Sequence, residues 1–399
     1  MTQKVLYIGQ LNDSSGYGNA ARNYIKCFDQ FLADYKNKID FKIFGVNFES
    51  KDIRTPEEKF IMSKYELRRG EVEKFIDKDT KVIYHLIPDT FGSPHWDGII
   101  AKVGKENTYS SMAWEPDALP KHWVNLYNEK VGKFIVYCDF TRQCFLNHGF
   151  DPSVVHLVPH PIFDIEQNDP STLNRDKFNI FSMSQWNDRK GWDILIPAVC
   201  HEFFDHDDVE LTIKTFRHEH LGANPTQEKG IVINQIKDYK NSINHYGETS
   251  RVKINLISGI VEKSVISSLF KQSSVYCLPT RCDSFGLTMG EAVISKRTAI
   301  VPSLGGHRDY FADDNPFLVD SYMKPCTMKG HIFSTLDMNL VETDYNDLRK
   351  KLRKAYEMWK EDPDLLATQA QANYDYATSE VINNKRIFDK FLNAIGVAA

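Results

Sequence analysis

The stretch Tyr276-Cys277-Leu278-Pro279-Thr280-Arg281-Cys282-Asp283-Ser284-Phe285-Gly286-Leu287-Thr288-Met289-Gly290-Glu291 decides how the second half of the chain reads. Residues 274–278 have the length of a buried strand, and Pro279 stops it because proline gives a sheet no amide donor. Around Ser284 to Gly286 the backbone can offer amides to a ligand. A helical pattern then starts near Leu287, so the stretch predicts strand, loop and helix. Asp283 falls just before the helix, and Glu291 lies eight positions on, about one turn inside it. Carboxylates accept hydrogen bonds from hydroxyls, so the acids can divide two tasks: Asp283 suits sugar hydroxyls and Glu291 suits the paired hydroxyls of a ribose. Taken singly, either acid is as well read as an ordinary surface charge.

The same grammar runs outward in both directions. Strands are predicted at 178–183, 209–215, 252–257 and 298–301, with helical stripes at 193–199, 262–270 and 286–296. The mostly polar segment 217–250 suits a helix and a mobile loop. Between the first strand and its helix lies Gln185-Trp186-Asn187-Asp188-Arg189-Lys190-Gly191-Trp192. A diphosphate needs charge compensation, which the fork of Arg189 and the compact ammonium of Lys190 can supply. Solvated surface charges are the alternative. After the strand at 298–301, Ser303-Leu304-Gly305-Gly306-His307 forms a further small-residue loop able to close over the same ligand.

In the first half, strands are predicted at 5–8, 39–46, 81–86, 108–113, 133–137 and 154–158. Strands alternating with helical stripes argue for a mostly parallel sheet with helices on both faces. A polar, turn-rich break at 162–177 separates two such units. The expected domains are 1–168, 169–378 and a closing helix, 379–395 within 379–399, whose Val381, Ile387, Phe388 and Phe391 can cover an apolar surface on the first domain. Another helical run is expected at about 344–360. Two doubly wound units imply a ligand cleft at the C-terminal ends of their strands.

Three loops at that edge of the first unit stand out. Ser14-Ser15-Gly16-Tyr17-Gly18-Asn19-Ala20-Ala21 sits between a strand and a helix, where glycines and helix-start amides favour a phosphate. It also fits G-x-G-x-x-A, but seven residues separate Ile8 from Gly16, which is too far for a dinucleotide turn. A structural turn is the third reading. His85, at the end of a strand, can donate to a sugar hydroxyl or a phosphate oxygen, or can be a buried histidine satisfied by backbone. In Ala113-Trp114-Glu115-Pro116-Asp117, Trp114 can stack on a sugar face. Glu115 can hold a hydroxyl or help deprotonate an acceptor, or can cap a helix or join a salt bridge.

The totals bound these readings. The chain has 399 residues, enough for two domains, and its 42% hydrophobic and 26% charged content is that of a folded globular protein. Its formal net charge of −5 argues against a protein that coats DNA non-specifically. The seven cysteines form no C-x-x-C pair, which points to a reducing, cytoplasmic setting rather than a disulfide framework or a cysteine zinc site. No secretory leader is expected, and no stretch approaches the ~20 apolar residues of a membrane span.

On these residues the chain resembles a family-4 retaining glycosyltransferase of the GT-B fold. The resemblance covers nearly the whole chain and is strongest in VPHPIFD (158–164), WNDRKGWDILIPA (186–198) and DSFGLTMGEAVISKRTAIVPSLGG (283–306). The last resembles the family's E-x7-E region, with Asp283 and Glu291 in its acidic positions. The resemblance implies two Rossmann-like domains facing each other across a cleft, with the C-terminal helix crossing back to the first domain. It implies a UDP- or GDP-sugar donor, no prosthetic group, and metal-independent transfer with retained configuration. It places Gly16 near the donor phosphates and Lys190 on the diphosphate; Tyr17 and Gly18 of the same loop are candidate donor-binding residues with Gly16, and Arg189 is a candidate to substitute for a phosphate-binding arginine. It places Asp283 near sugar hydroxyls and Glu291 on the ribose, and the WEPDALPKHW segment with Trp114 and Glu115 resembles an acceptor-side loop; Ser284, Phe285, Gly286 and Leu287 are the loop's candidate donor-binding residues beside them. Glu115, His85 and Lys190 are the candidate catalytic side chains.

Three departures from the family pattern stand out. Asp283 is one methylene shorter than the usual glutamate, Gln185 stands where an arginine is usual, and Trp114-Glu115 replaces a histidine loop. The acceptor is expected to be a glycan or a small molecule. A modified base of DNA is an alternative that needs a basic track beside the cleft. A nicotinamide dehydrogenase and a non-catalytic nucleotide-sugar-binding module are the competing classes.

Overall fold

The structure, a computed structural model, describes residues 2–35, 37–46, 52–217, 223–245, 247–327 and 337–397. It divides into two compact units, Met1–Phe163 with Ile382–Ala399, and Asp164–Val381. The divisions fall at 163/164 and 381/382, where the sequence suggested 168/169 and 378/379. Residues just after 163 already bond to the second unit, as in Asn168 Nδ2 to the Ser295 carbonyl at 3.0 Å.

The first unit carries β1 (Gln3–Gly9), α1 (Gly16–Phe31), β2 (Ile39–Gly45), α2 (Pro56–Ser63), α3 (Arg69–Phe75), β3 (Lys81–His85), α4 (Asp97–Val103), β4 (Thr108–Ser111), α5 (Lys121–Lys130), β5 (Lys133–Val136), α6 (Asp139–Asn147) and β6 (Val155–Leu157). Its strands form one parallel sheet in the order β2-β1-β3-β4-β5-β6. Val5, Leu6, Tyr7 and Ile8 of β1 are all fully buried. A continuous apolar run of this kind is what a strand covered on both faces requires.

The second unit carries β7 (Phe178–Gln185), α7 (Trp192–Glu202), β8 (Val209–Phe216), α8 (Pro225–Asn241), β9 (Asn244–His245), β10 (Glu248–Thr249), β11 (Lys253–Ser258), α9 (Lys263–Gln272), β12 (Val275–Cys277), α10 (Leu287–Ile294), β13 (Thr298–Pro302), β14 (Leu318–Val319), β15 (Ser321–Pro325), β16 (Asn339–Thr343), α11 (Tyr345–Glu361) and α12 (Pro363–Glu380). Its main sheet is parallel, ordered β11-β8-β7-β12-β13-β14, and β15 and β16 form an antiparallel hairpin. The helix expected within 217–250 is α8, capped by the Asn224 side chain. Residues 218–222 and 246 of that stretch lie outside the described residues.

The closing helix α13 (Asn384–Ala394) belongs to the first unit. It is shorter than 379–395 because α12 runs to Glu380 and the Asn383 side chain caps a new start. Phe388 and Phe391 meet Phe28 of α1 edge-on, with centroids 5.2 and 5.0 Å away. Burying two rings on a third stabilises this contact through area and edge-to-face geometry. Among the described residues, no helix is long and apolar enough to cross a membrane.

Candidate active site

Counted from β7, the second unit's sheet runs third, second, first, fourth, fifth, sixth. Strand order reverses between β7 and β12, and the loops leaving the C-terminal ends of two such strands diverge to leave a crevice. The loop after β7 holds Arg189 and Lys190, and the loop after β12 holds Asp283. The two loops meet backbone to backbone. Gly191 adopts φ 72°, and a Cβ there would sit 2.1 Å from the Pro279 carbonyl oxygen, so only glycine allows the approach. The Arg281 amide donates to the Arg189 carbonyl at 2.7 Å, and Arg189 Nη1 donates to the Cys282 carbonyl at 2.6 Å.

This contact brings the predicted charges together. Lys190 Nζ lies 2.5 Å from Asp283 Oδ1, and Arg189 Nη1 lies 3.4 Å from the same oxygen. Burial pushes the Asp283 carboxyl up, but the adjacent charges of Lys190 and Arg189 outweigh burial and hold it below the ordinary carboxylate range. Asp283 Oδ2 and Ser284 Oγ are buried and take no hydrogen bond from the described residues.

Gly286 caps α10 in the left-handed region and Leu287 opens the helix. The Phe285 ring is buried against Tyr310, whose hydroxyl lies 2.8 Å from both the Phe285 and Gly286 carbonyls. Phe285 therefore has its backbone, not its ring, to offer a ligand. Glu291 is only 6% exposed, and its Oε1 accepts from Lys263 Nζ at 2.7 Å. His307 donates from Nε2 to the Pro302 carbonyl at 2.7 Å, and burial lowers its pKa to about 4, so it is neutral at pH 7.

In the first unit the sheet order reverses between β1 and β3, where Gly16, Tyr17 and Gly18 follow β1 and His85 ends β3, while Trp114 and Glu115 follow the next strand, β4. Helix α1 begins at Gly16, two residues earlier than the pattern suggested, and its N-cap Ser15 makes no side-chain cap bond. Gly16 faces open space, whereas a Cβ on Gly18 would sit 2.0 Å from the Asp13 carbonyl oxygen. The Tyr17 hydroxyl is already engaged, 3.1 Å from both the amide and the carbonyl of Ala113. Burial, followed by the charge of Glu115, raises the Tyr17 phenol above its ordinary value, which puts half-buried Glu115 beside this clamp.

Two expectations for this unit need correction. Trp114 offers no face to a sugar. Its ring is 2% exposed, packs 4.5 Å from Trp123, and gives its indole N–H to the Ala118 carbonyl at 2.7 Å. His85 is no open donor either: it is 1% exposed, shares a hydrogen bond with the Tyr7 hydroxyl, and is ringed by Tyr17, Tyr24, Tyr137 and His160. Burial lowers its pKa to about 3, so the imidazole is neutral. The partner that satisfies it is a phenol rather than backbone.

Lys263 and Arg281 were not among the predicted residues. Arg281 reaches Asp193 at 2.8 Å and Glu342 at 3.3 Å, which ties the β15–β16 hairpin to the loop that carries Asp283. Lysine at the first position of a helix is electrostatically unfavourable, and that oddity is the signal that could have marked Lys263. Gln185, in the position usual for an arginine, reaches the Arg217 carbonyl at 3.2 Å. Among the described residues no cluster of His, Cys, Asp or Glu is arranged to hold a metal ion.

No family model matches the chain, and no curated protein does. Solved structures do. Anabaena HepE, solved with UDP and glucose, superimposes with a TM-score of 0.64 at 13% identity, over 98% of this chain and 99% of that one. The pneumococcal O-GlcNAc transferase GtfA, solved with UDP and GlcNAc, gives 0.59 at 13% identity, over 99% and 98%. Staphylococcus aureus TarM, solved as a point mutant with fondaparinux, alpha-GlcNAc-glycerol and UDP, gives 0.56 at 14% identity, over 82% of this chain. The alignment spans 58% of TarM's own length. At these identities the likeness establishes the fold: two parallel six-stranded α/β sheets of the GT-B type.

Proposed function

We propose that this chain is a glycosyltransferase that moves a sugar from a nucleoside-diphosphate sugar, a UDP- or GDP-sugar, to an acceptor hydroxyl on a glycan or small molecule. The observation that carries the reading is the convergence of Lys190 and Arg189 on Asp283 at the switch point of the second unit, with Glu291 inside the adjoining helix. In this reading Lys190 and Arg189 take the diphosphate, Asp283 takes sugar hydroxyls, and Glu291 takes the ribose. The amides where α10 begins at Leu287 add partial positive charge for the leaving group. Structures that share the fold with UDP and a sugar bound support the donor class.

The finer parts of the reading are membership of family 4, retention of configuration and independence from metal. As the sugar leaves, negative charge grows on the diphosphate, and fixed cations in a water-poor site stabilise that growth better than mobile water does. No protein nucleophile is invoked, so the acceptor oxygen approaches on the face the diphosphate leaves. Glu115 is the proposed acceptor-side acid, and Gly16 lies at a helix start suited to phosphate. His85 is neutral and buried, so its proposed part is to hold the Tyr7–Tyr17 layer rather than to move a proton. Seven buried free cysteines fit a reducing cytoplasm. Nothing favours a DNA acceptor: Arg189, Lys190, Lys263 and Arg281 are each paired with a carboxylate and form no open basic track.

The test is mass spectrometry of a nucleotide-sugar panel with candidate acceptors, alongside titration calorimetry on Lys190→Ala and Glu291→Ala. Lys190→Ala is expected to lower kcat/KM by about 10²–10³-fold, the scale of about 2.7–4 kcal/mol for one charged transition-state contact. Circular dichroism should stay that of a folded α/β protein. Donor affinity at wild-type level in both variants would reject the assignment.

A further inference from the structure

Lys263 is the first residue of α9, where the helix dipole makes a cation costly unless an anion lies close. The anion is Glu291, whose side chain is almost enclosed, while about a third of the Lys263 side chain still meets solvent. An enclosed carboxylate loses hydration that a close cation offsets, and Lys263 Nζ donates to Glu291 at 2.7 Å. The ammonium takes Oε1, and Oε2 receives no hydrogen bond from the described residues. The pair also crosses the sheet edge. Lys263 leaves the loop after β11, Glu291 sits in the helix after β12, and β8 and β7 lie between those strands.

We infer that Lys263 is a positioning residue for pentose recognition: it pins one oxygen of Glu291 so that the other faces a ribose hydroxyl, and thereby sets a preference for ribo- over 2′-deoxyribonucleotides. The inference rests on the donor reading above, which places a nucleoside diphosphate at Glu291. A carboxylate free to rotate would split its hydrogen bonds between solvent and ligand. A carboxylate held at one oxygen presents the other in a fixed direction, and ordering it beforehand removes that cost from binding. The ammonium also offsets the repulsion between Glu291 and the diphosphate of the same ligand.

Calorimetry with UDP and 2′-deoxy-UDP on the full chain tests this. Wild type should prefer UDP by about tenfold, the size of one hydrogen bond to a charged acceptor. Lys263→Met should cut that ratio at least threefold by weakening UDP more than 2′-deoxy-UDP, and Lys263→Arg should keep it within twofold. Glu291→Gln should abolish the preference, and adding Lys263→Met to it should change the ratio no further. The ratio does not depend on the fraction of protein that is folded, so a partly unstable variant still reports.

Equal weakening of both nucleotides in Lys263→Met, an unchanged ratio, or no preference in wild type would each overturn the inference while leaving the donor reading standing. Wild type that binds neither UDP nor GDP refutes the donor reading itself, and this inference with it.

Discussion

Replacing Asp283 by asparagine keeps the shape of the side chain and removes the anion that two cations share. At 2.5 Å and an effective dielectric constant of about 20, the Lys190–Asp283 attraction is about 6–7 kcal/mol before desolvation. Desolvation returns most of that, and breaking one side of a buried pair typically costs about 3–5 kcal/mol. Lys190 is 8% exposed and cannot turn to bulk water, whereas Arg189 keeps its bond to the Cys282 carbonyl. The expected loss is therefore about 2–4 kcal/mol, which lowers the melting temperature of a unit this size by about 5–10 °C. A bound diphosphate replaces the missing carboxylate, so the gap should narrow in saturating UDP, where ligand at 100 Kd adds about 2.7 kcal/mol even to wild type. Lys190→Met combined with Asp283→Asn should recover about half the loss, since the most buried charge is then gone. The pH dependence follows from the depressed Asp283 pKa. The stabilisation is full above the unfolded value near ~3.9 and is lost as pH falls through the lower folded value. The variant should trail wild type by a constant margin from pH 8 to about 5 and converge on it below about 4. Differential scanning fluorimetry with and without UDP reads all of this. An Asp283→Asn protein that melts with wild type in both conditions would show that the pair contributes nothing, and a gap that UDP leaves untouched would show that these cations do not hold phosphate.

Gly18→Ala forces a Cβ to within 2.0 Å of the Asp13 carbonyl oxygen and should cost at least about 1–3 kcal/mol in urea unfolding. Gly16→Ala meets no atom within 4 Å, so it should melt with wild type yet lose donor turnover; unaltered turnover would remove Gly16 from the site. His85, lowered to about 3 by burial against an ordinary value near ~6.5, favours the folded state fully above ~6.5 and progressively less as pH falls toward 3. His85→Gln should therefore flatten the loss of stability between pH 6.5 and 4.5, and an identical slope in the variant would mean the imidazole is not held neutral.

Strands such as β1, β3, β5 and β13 were legible because their residues are nearly all buried and read as short apolar runs, whereas β2 alternates and β11 is partly exposed along its length. The exceptions have physical causes. Strand β14 is two residues long and has no period to detect. Helix α12 buries Leu366, Ala367, Ala370, Asn373 and Ala377, mostly small side chains, while Leu365 and Tyr376 lie on its exposed side, so its sequence shows little apolar contrast between the two faces. The hairpin β15–β16 has a mostly exposed first strand, and Arg281 in the Asp283 loop holds its second strand through a long-range ion pair to Glu342.

The candidate site divides along the same line. Lys190 and Asp283 could be singled out because each follows a strand that a short sequence window reveals, and strand order then brings their loops together. What no window reveals is the direction in which a side chain points once the chain is folded. Trp114 and His85 occupy strand-end positions as promising as that of Lys190, yet their rings turn inward to Trp123 and to the layer of tyrosines. An aromatic or neutral ring gains free energy by leaving water. An ammonium does so only where a carboxylate waits for it, so a charged residue at a strand end either stays at the surface or marks a site with a partner. The charged candidates therefore kept their place at the switch point and the aromatic ones did not. By the same reasoning the Lys263–Glu291 pair, joined across 28 residues and two intervening strands, is a contact that neither residue's sequence surroundings could have nominated.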